Sequence, residues 1–476
     1  MQAGWRPRPG DRVLRRALVI PQRISVLPGR IPKPSQSPWS ILVYGFAGII
    51  AVGAVLLTLP ISSAGGGFTS PVDALFTATS AICVTGLVVL DTGTYWSGFG
   101  QAVILVLIQL GGLGYMTMST LILLVIGRRI TLQERLRIKE TMGVPALGGL
   151  VRLIRTIFLI TIAIEAVGAI LLFLRFAQIY RLQSVWTTIW QAVFHSVSAF
   201  NNAGFDIVGP NFRSLAHFQR DPWILLVIAG LIILGGLSFV VMVDVARNRR
   251  FSRLSVNSKI VLAMTGLLLG LGTIAILVTE YGNLQSLGPL PFPYKVLNAF
   301  FTAVTPRTAG FTTLDLGRIA DYTLVLVIAL MFIGGASGST AGGIKVNTFG
   351  VLVAVILAAV KGRQYPEMFR KEVPQQLVHQ ALAVVFLAFA LVFAVVFVLT
   401  LTESASFLRL VFETVSAFGT VGLSTGITPE LSTIGKLVIM FVMFVGRVGP
   451  LSLGLAFAAR RQPARYRYAQ ESVQIG

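Results

Sequence analysis

Eight apolar runs, each long enough at about 20 residues to cross ~30 Å of hydrocarbon, lie near 39–60, 99–127, 153–176, 222–246, 257–280, 320–360, 377–401 and 433–458. No single water-soluble core could hide them. Only 12% of the 476 residues are charged, where soluble domains carry roughly 25%. Mean hydropathy is +0.81. The expected fold class is therefore an all-α polytopic membrane protein with eight transmembrane helices.

Thirty-nine Lys and Arg stand against 18 Asp and Glu, a net charge of +21. In a soluble chain this excess would suggest nucleic acid. Here 28 of the 39 fall in 1–38, 128–155, 246–259, 361–372 and 460–467, all between or outside apolar runs, while residues 60–100 carry none. The positive-inside rule places the basic stretches in the cytoplasm. With an even number of crossings both termini lie there, and the compartment is the plasma membrane. No RNA-type motif or aromatic interleaving accompanies the charge, so no nucleic-acid partner is expected. The first 38 residues lack an apolar core before Trp39, unlike a cleavable signal peptide. The lone Cys83 excludes an internal disulfide, and His195, His217 and His379 form no metal-spaced pair.

Within each pair of runs lies a shorter segment rich in Ser, Thr and Gly, at about 71–90, 187–207, 293–313 and 405–425. Segments this short read as re-entrant helices. They align on Gly86, Gly204, Gly310 and Gly422. Ten residues upstream stand Phe76, Phe194, Phe300 and Phe412; six upstream, Ser80, Ser198, Val304 and Ser416; one downstream, Leu87, Phe205, Phe311 and Leu423. A fixed frame across four segments is a repeat. The architecture expected is four span–pore helix–span repeats around a pseudo-fourfold axis: a basic segment 1–38, repeats 39–150, 151–256, 257–374 and 375–459, and a tail 460–476.

Extended backbone at membrane depth is tolerated only inside protein or along a water-filled cavity. Four such stretches around one axis offer rings of carbonyl oxygens that replace the hydration shell of an alkali cation. The candidate filter strands are Val84-Thr85-Gly86, Asn202-Ala203-Gly204, Thr308-Ala309-Gly310 and Thr420-Val421-Gly422. Each glycine supplies a conformation that a Cβ would oppose; the bland alternative is four ordinary glycine turns.

The second run of each unit carries a marker: Gly111-Gly112, Gly235-Gly236, Gly334-Gly335 and Gly446-Arg447. Small pairs in membrane helices usually serve close packing. In the third unit the pair opens Gly334-Gly335-Ala336-Ser337-Gly338-Ser339-Thr340-Ala341-Gly342-Gly343, followed by Lys345. Each glycine in a helix costs about 1 kcal/mol relative to Ala, so 320–360 reads as two half-helices joined by a loop beneath the filter, a natural gate. A phosphate-cradling loop does not fit, since the G-x-x-x-x-G-K-[ST] spacing and a preceding strand are missing. Arg447 sits on the pore side by the repeat, as an electrostatic barrier or an anchor for the loop; a structural ion pair is the alternative, with Glu165 as a candidate partner. Glu413 and His195 read as structural hydrogen-bonding groups.

With these elements in place the chain resembles the Trk/Ktr/HKT superfamily of potassium transporters, most closely its bacterial Ktr membrane subunits. The resemblance runs from Trp39 onward and rests on the Val-Thr-Gly-Leu, Asn-Ala-Gly-Phe, Thr-Ala-Gly-Phe and Val-Gly-Leu elements, the Gly-Ser-Thr-Ala-Gly-Gly-Ile-Lys loop and Gly446-Arg447. No extra pair of spans precedes the first unit, which fits Ktr better than Trk. The resemblance implies potassium (K+) uptake, one pore per chain, a homodimer, and a cytosolic nucleotide-binding regulatory ring on a separate chain. It also implies a filter at the four glycines, control of flux by 334–343 and Arg447, and sodium (Na+) as a candidate activator. A serine at the first filter position accompanies sodium preference in plant relatives; Gly86 favours potassium. The basic loops and the tail are docking surfaces for the ring or for anionic membrane lipid. Against this stand a cation-coupled secondary transporter with broken helices, which would show inverted halves, and an intramembrane enzyme, for which no nucleophile–base pair is evident.

Overall fold

The computed structural model describes residues 38–114, 150–179, 184–208 and 214–449. The expectations for 1–37, most of the 128–155 basic loop, and the tail lie outside the described residues. Burial runs opposite to a water-soluble fold. Phe386, Phe389, Phe393 and Phe397 point outward at 59–74% exposure, while Ser80, Thr85, His195, Asn201, Asn202 and Glu413 are fully enclosed. Apolar outside and polar inside is the pattern of a chain whose solvent is hydrocarbon.

The helices fall into four groups. The first is α1 (Pro38–Thr58), α2 (Pro71–Ile82) and α3 (Gly98–Leu113). The second is α4 (Leu150–Ile179), α5 (Val185–Phe200), α6 (Pro222–Gly236) and α7 (Phe239–Asn248). The third is α8 (Val256–Glu280), α9 (Phe292–Val304), α10 (Asp321–Phe332) and α11 (Val346–Val360). After a two-stranded hairpin, β1 (Glu367–Met368) with β2 (Lys371–Glu372), the fourth is α12 (Gln375–Thr402), α13 (Phe407–Gly419) and α14 (Thr433–Val448). The starts follow local chemistry. Ser97, Ser184, Asp221, Ser255 and Ser432 each accept a backbone N–H three residues on, an N-cap, and Pro71 and Pro222 occupy first turns, where a missing N–H costs nothing.

Each short helix α2, α5, α9 and α13 lies within the semi-polar segment expected to re-enter. Length tells a different story for the spans. Among the described residues α4, α8 and α12 are long and apolar enough to cross alone; α3, α10 and α11 are shorter apolar helices, as is the 43–58 part of α1. The run 320–360 is broken as expected, between Phe332 and Val346. The run 222–246, expected as one span, is not continuous: α6 and α7 meet at 99° across Leu237-Ser238. In an unbroken helix the carbonyls of Gly235 and Gly236 would accept from residues 239 and 240. They accept instead from the Gly-rich loop: Thr340 N–H donates to Gly235 O at 3.3 Å and Ala336 N–H to Gly236 O at 2.9 Å. The loop of one group thus ends the helix of another.

Candidate functional site

Three of the four filter segments leave their short helix by the same hydrogen bonds. Thr85, Ala203 and Val421 each donate N–H to the carbonyl five residues back (Ser80, Ser198, Ser416) at 2.8 Å. The third is one residue shorter: Ala309 donates to Thr305 O at 2.9 Å. In the second and third the polar side chain at this point also grips the far side of the turn, Ser198 Oγ donating to Phe205 O at 2.7 Å and Thr305 Oγ1 to Phe311 O at 2.5 Å. In the first, Ser80 Oγ accepts from Gly86 N at 3.0 Å. The position assigned to Val304 by alignment therefore belongs to Thr305, because the turn before Gly310 closes on the carbonyl four residues back and not five.

Gly86, Gly204, Gly310 and Gly422 all have φ between 71° and 87°, the left-handed region that a Cβ opposes. Two residues before each glycine, Val84, Asn202, Thr308 and Thr420 are left-handed as well, with φ of 51–69°. Left-handed backbone at side-chain-bearing residues is costly, and nothing in the one-letter pattern announced it. Of the twelve candidate filter residues only Gly422 is partly exposed; the others are buried.

The four strands meet in chain order. A Cβ built on Gly86 would lie 2.4 Å from Ala203 O; on Gly204, 2.8 Å from Ala309 O; on Gly310, 2.7 Å from Val421 O; and on Gly422, 2.1 Å from Thr85 O. Each glycine faces the carbonyl preceding the next glycine, and the fourth returns to the first. The hydroxyls of Thr85 and Thr420 have no hydrogen-bond partner among the described residues. Behind the ring, Glu413 accepts from Ser424 at 2.9 Å and from Thr428, and His195 Nε2 accepts from Ile207 N–H at 3.4 Å. Both brace the strand beyond a glycine, the structural role expected of them.

The glycine pairs are packing devices. A Cβ on Gly111, Gly235 or Gly446 would stand 2.0, 1.8 or 2.0 Å from the carbonyls of Ile82, Phe200 and Phe418, each four residues before its filter glycine. The span after each filter thus touches the end of its own short helix backbone to backbone. In the third group Gly334 meets its own loop instead, Gly342 O at 2.4 Å from its built Cβ.

That loop runs beside the ring. A Cβ on Gly342 would stand 2.0 Å from Thr420 Oγ1, and Gly334 N–H donates to Ile344 O at 2.8 Å, closing the loop at its root. Ala336, Thr340 and Ala341 are buried, with Ser337 and Gly338 exposed at the tip. Thr340 Oγ1 donates to Gly235 O at 2.9 Å, and Lys345 Nζ donates to Ala341 O at 2.7 Å. Arg447 donates through Nη1 to Thr340 O and through Nη2 to Gly111 O. Glu165 is not its partner. That carboxylate accepts from Gln109 Nε2 at 3.3 Å and Asn201 Nδ2 at 2.9 Å, bracing the residue just before the second filter strand. Sequence reasoning passed over Arg307, three residues before Gly310 and only 7% exposed. Its carbonyl accepts from Asn202 Nδ2 at 3.1 Å and its Nη2 reaches Gly334 O at 3.4 Å. An arginine amid Thr-Pro-Arg-Thr-Ala-Gly was the available signal. Near the start of both helices Lys436 of α14 pairs with Asp73 of α2 at 2.8 Å.

The four candidate filter glycines thus stand in one ring, each following a short helix, and residues 33–467 match the family model TrkH, cation transport protein. The chain belongs to that family. It is 44% identical over 444 residues to the Ktr system potassium uptake protein B of Bacillus subtilis, covering 92% of this chain and 97% of the relative. The corresponding protein of Vibrio alginolyticus is 40% identical, with 94% and 97% covered, and the potassium/sodium uptake protein NtpJ of Enterococcus hirae 39%, with 92% and 97%. The crystal structure of the potassium transporter TrkH from Vibrio parahaemolyticus superposes with a TM-score of 0.68 at 17% identity, covering 90% of this chain and 86% of that one.

Proposed function

We propose that this chain carries potassium into the cell across the plasma membrane through a channel-like pore. The observation that carries the reading is the closed ring in which each filter glycine faces the carbonyl before the next. Such a ring, with the left-handed residues that precede it, substitutes carbonyl oxygens for the water around a dehydrated cation. On this reading Val84 to Gly86, Asn202 to Gly204, Thr308 to Gly310 and Thr420 to Gly422 are the ion-binding strands. The segments 39–150, 151–256, 257–374 and 375–459 are four pseudo-equivalent units with eight crossings in all, both termini cytoplasmic.

The loop Gly334 to Gly343, with Lys345 and Arg447, is the gate. Two buried arms and an exposed tip let it shift without dismantling a packed helix. Arg447 acts as its anchor, since the guanidinium lies on the loop carbonyl of Thr340. The protein works as a homodimer with a cytosolic nucleotide-binding ring as a separate regulatory chain. Sodium serves as an activator, consistent with a relative named for both ions. The break between α6 and α7 favours a second reading, cation-coupled symport through broken helices; saturating flux that requires a second ion would select it.

The test is potassium and sodium flux into liposomes for the full chain, Gly86→Ser and a deletion of 336–341. Potassium-selective flux that loses selectivity in the first variant and rises in the second is the expected result. Unchanged selectivity in Gly86→Ser would refute the filter assignment, and unchanged flux in the deletion would refute the gate.

A further inference from the structure

The basic stretch 361–372 joins α11 to α12, and beside it the two helices border a cavity of about 290 Å³. The lining is of two kinds. Val355, Ala358 and Ala359 of α11 and Val378 of α12 form an apolar wall; Arg363, Gln364, Gln375 and His379 form a polar rim. The cavity opens outward, since Ala359, Arg363, Gln375 and His379 are all exposed. The neighbouring positions are what hydrocarbon covers: Ile356, Leu357 and Val360 of α11 are 50–80% exposed, and Leu382 and Phe386 of α12 are 50% and 74%. An apolar cleft continuous with a lipid-facing surface thus ends at a rim of hydrogen-bonding heads.

The charge around that rim is one-sided. Lys361, Arg363, Arg370 and Lys371 stand against Glu367 and Glu372, and neither α11 nor α12 carries an Asp or Glu. Arg363 commits Nη1 alone, to Glu367 Oε2 at 2.7 Å in a half-exposed pair, so the rest of its guanidinium faces no protein partner. We propose that this cavity binds an anionic phospholipid, its phosphate on Arg363 with Gln375 and His379 alongside and its acyl chains along the face of α11 and α12. A guanidinium offers a phosphate two parallel donors, and basic pockets between membrane helices take lipid headgroups. A soluble acidic segment would use the rim and leave the apolar wall, Val360 and Phe386 uncovered; a lipid covers both. On the topology proposed above the site lies in the cytoplasmic leaflet, the one with negative surface potential. It stands apart from the filter and the Gly-rich loop, and its failure would leave those readings as they are.

The experiment is native mass spectrometry of the full chain in detergent, titrated with phosphatidylglycerol, phosphatidylcholine or glycerol 3-phosphate. The variants are Arg363→Gln, Glu367→Gln, Ala359→Trp and Lys371→Gln, the last in the same basic stretch but outside the lining. The parent binds phosphatidylglycerol about fivefold more tightly than phosphatidylcholine, and Arg363→Gln removes that preference, the scale of one basic side chain at a lipid surface. Glu367→Gln breaks the same ion pair yet releases the guanidinium, so affinity holds or rises; a loss equal to that of Arg363→Gln makes the pair merely structural and overturns the proposal. Ala359→Trp fills the cavity from an exposed position and lowers phosphatidylglycerol binding, and unchanged binding there overturns the proposal even where Arg363→Gln fails to fold. A loss in Lys371→Gln as large as in Arg363→Gln shows diffuse attraction to a basic surface and overturns it as well. Glycerol 3-phosphate bound as tightly as the lipid overturns the lipid in favour of a soluble phosphate.

Discussion

The apolar runs that follow the second and third candidate filter strands carry the same Gly-Gly pair and come to opposite ends. In the second, Gly235 presses on Phe200 O and the helix runs up to Gly236 before bending. In the third, helix α10 stops at Phe332, ahead of its pair, and Gly334 packs on its own loop. The pair is the same; the sequence after it differs. Leu-Ser-Phe-Val-Val-Met resumes a helix, whereas Ala-Ser-Gly-Ser-Thr-Ala-Gly-Gly does not. The irregular backbone of the loop then needs acceptors, and it takes the Gly235 and Gly236 carbonyls. One weak helix has interrupted a stronger one.

The largest effect that would break this comparison is Gly235→Ala. Its Cβ would sit 1.8 Å from a backbone carbonyl, so a cost of about 3 kcal/mol or more is expected, seen as a fall in melting temperature and loss of flux. Gly236→Ala meets only Asn202 Nδ2 at 3.4 Å and should stay within about 1 kcal/mol of the parent. Equal effects at the two positions would show that the pair acts as a flexible joint and not as a packing face.

Next in size is Glu165→Leu. It leaves Gln109 Nε2 without its acceptor and takes one of three acceptors from Asn201 Nδ2, and should cost about 2 kcal/mol, whereas Glu165→Gln keeps an acceptor and costs less than half as much. Thermal melts order the pair, and a loss of potassium selectivity in Glu165→Leu alone would sharpen the view that the second strand is braced from behind. The smallest effect is Asp73→Asn. Its pair with Lys436 is 16–20% exposed, so about 1 kcal/mol or less is expected, with a flux change well below that of Arg447→Met.

Much of this was legible because the membrane imposes periods that a sequence must obey. Apolar runs, the in-frame glycines and the glycine-rich interruption each state a backbone requirement through residue type. What stayed hidden depends on partners far along the chain. The bend at Leu237 is caused by residues a hundred positions later, and the composition of 222–246 is that of an ordinary span. The left-handed Val84, Asn202, Thr308 and Thr420 carry side chains that give no hint of their φ. Thr305 escaped because a closing turn one residue tighter than in the other three shifts a polar role onto a neighbour without disturbing the glycine frame. Arg447 was found by position, but its partners are carbonyls, which a search for opposite charges does not see.

The pairing of Lys436 with Asp73 and of Arg447 with Gly111 has a further consequence. Four groups on one chain are joined in sequence three times, so the circle closes once without a peptide link, where the last group meets the first. That seam is stitched at one end by an ion pair and at the other by the same guanidinium that grips the Thr340 carbonyl. Releasing the loop therefore also loosens the one joint of the circle that covalent chemistry does not guard.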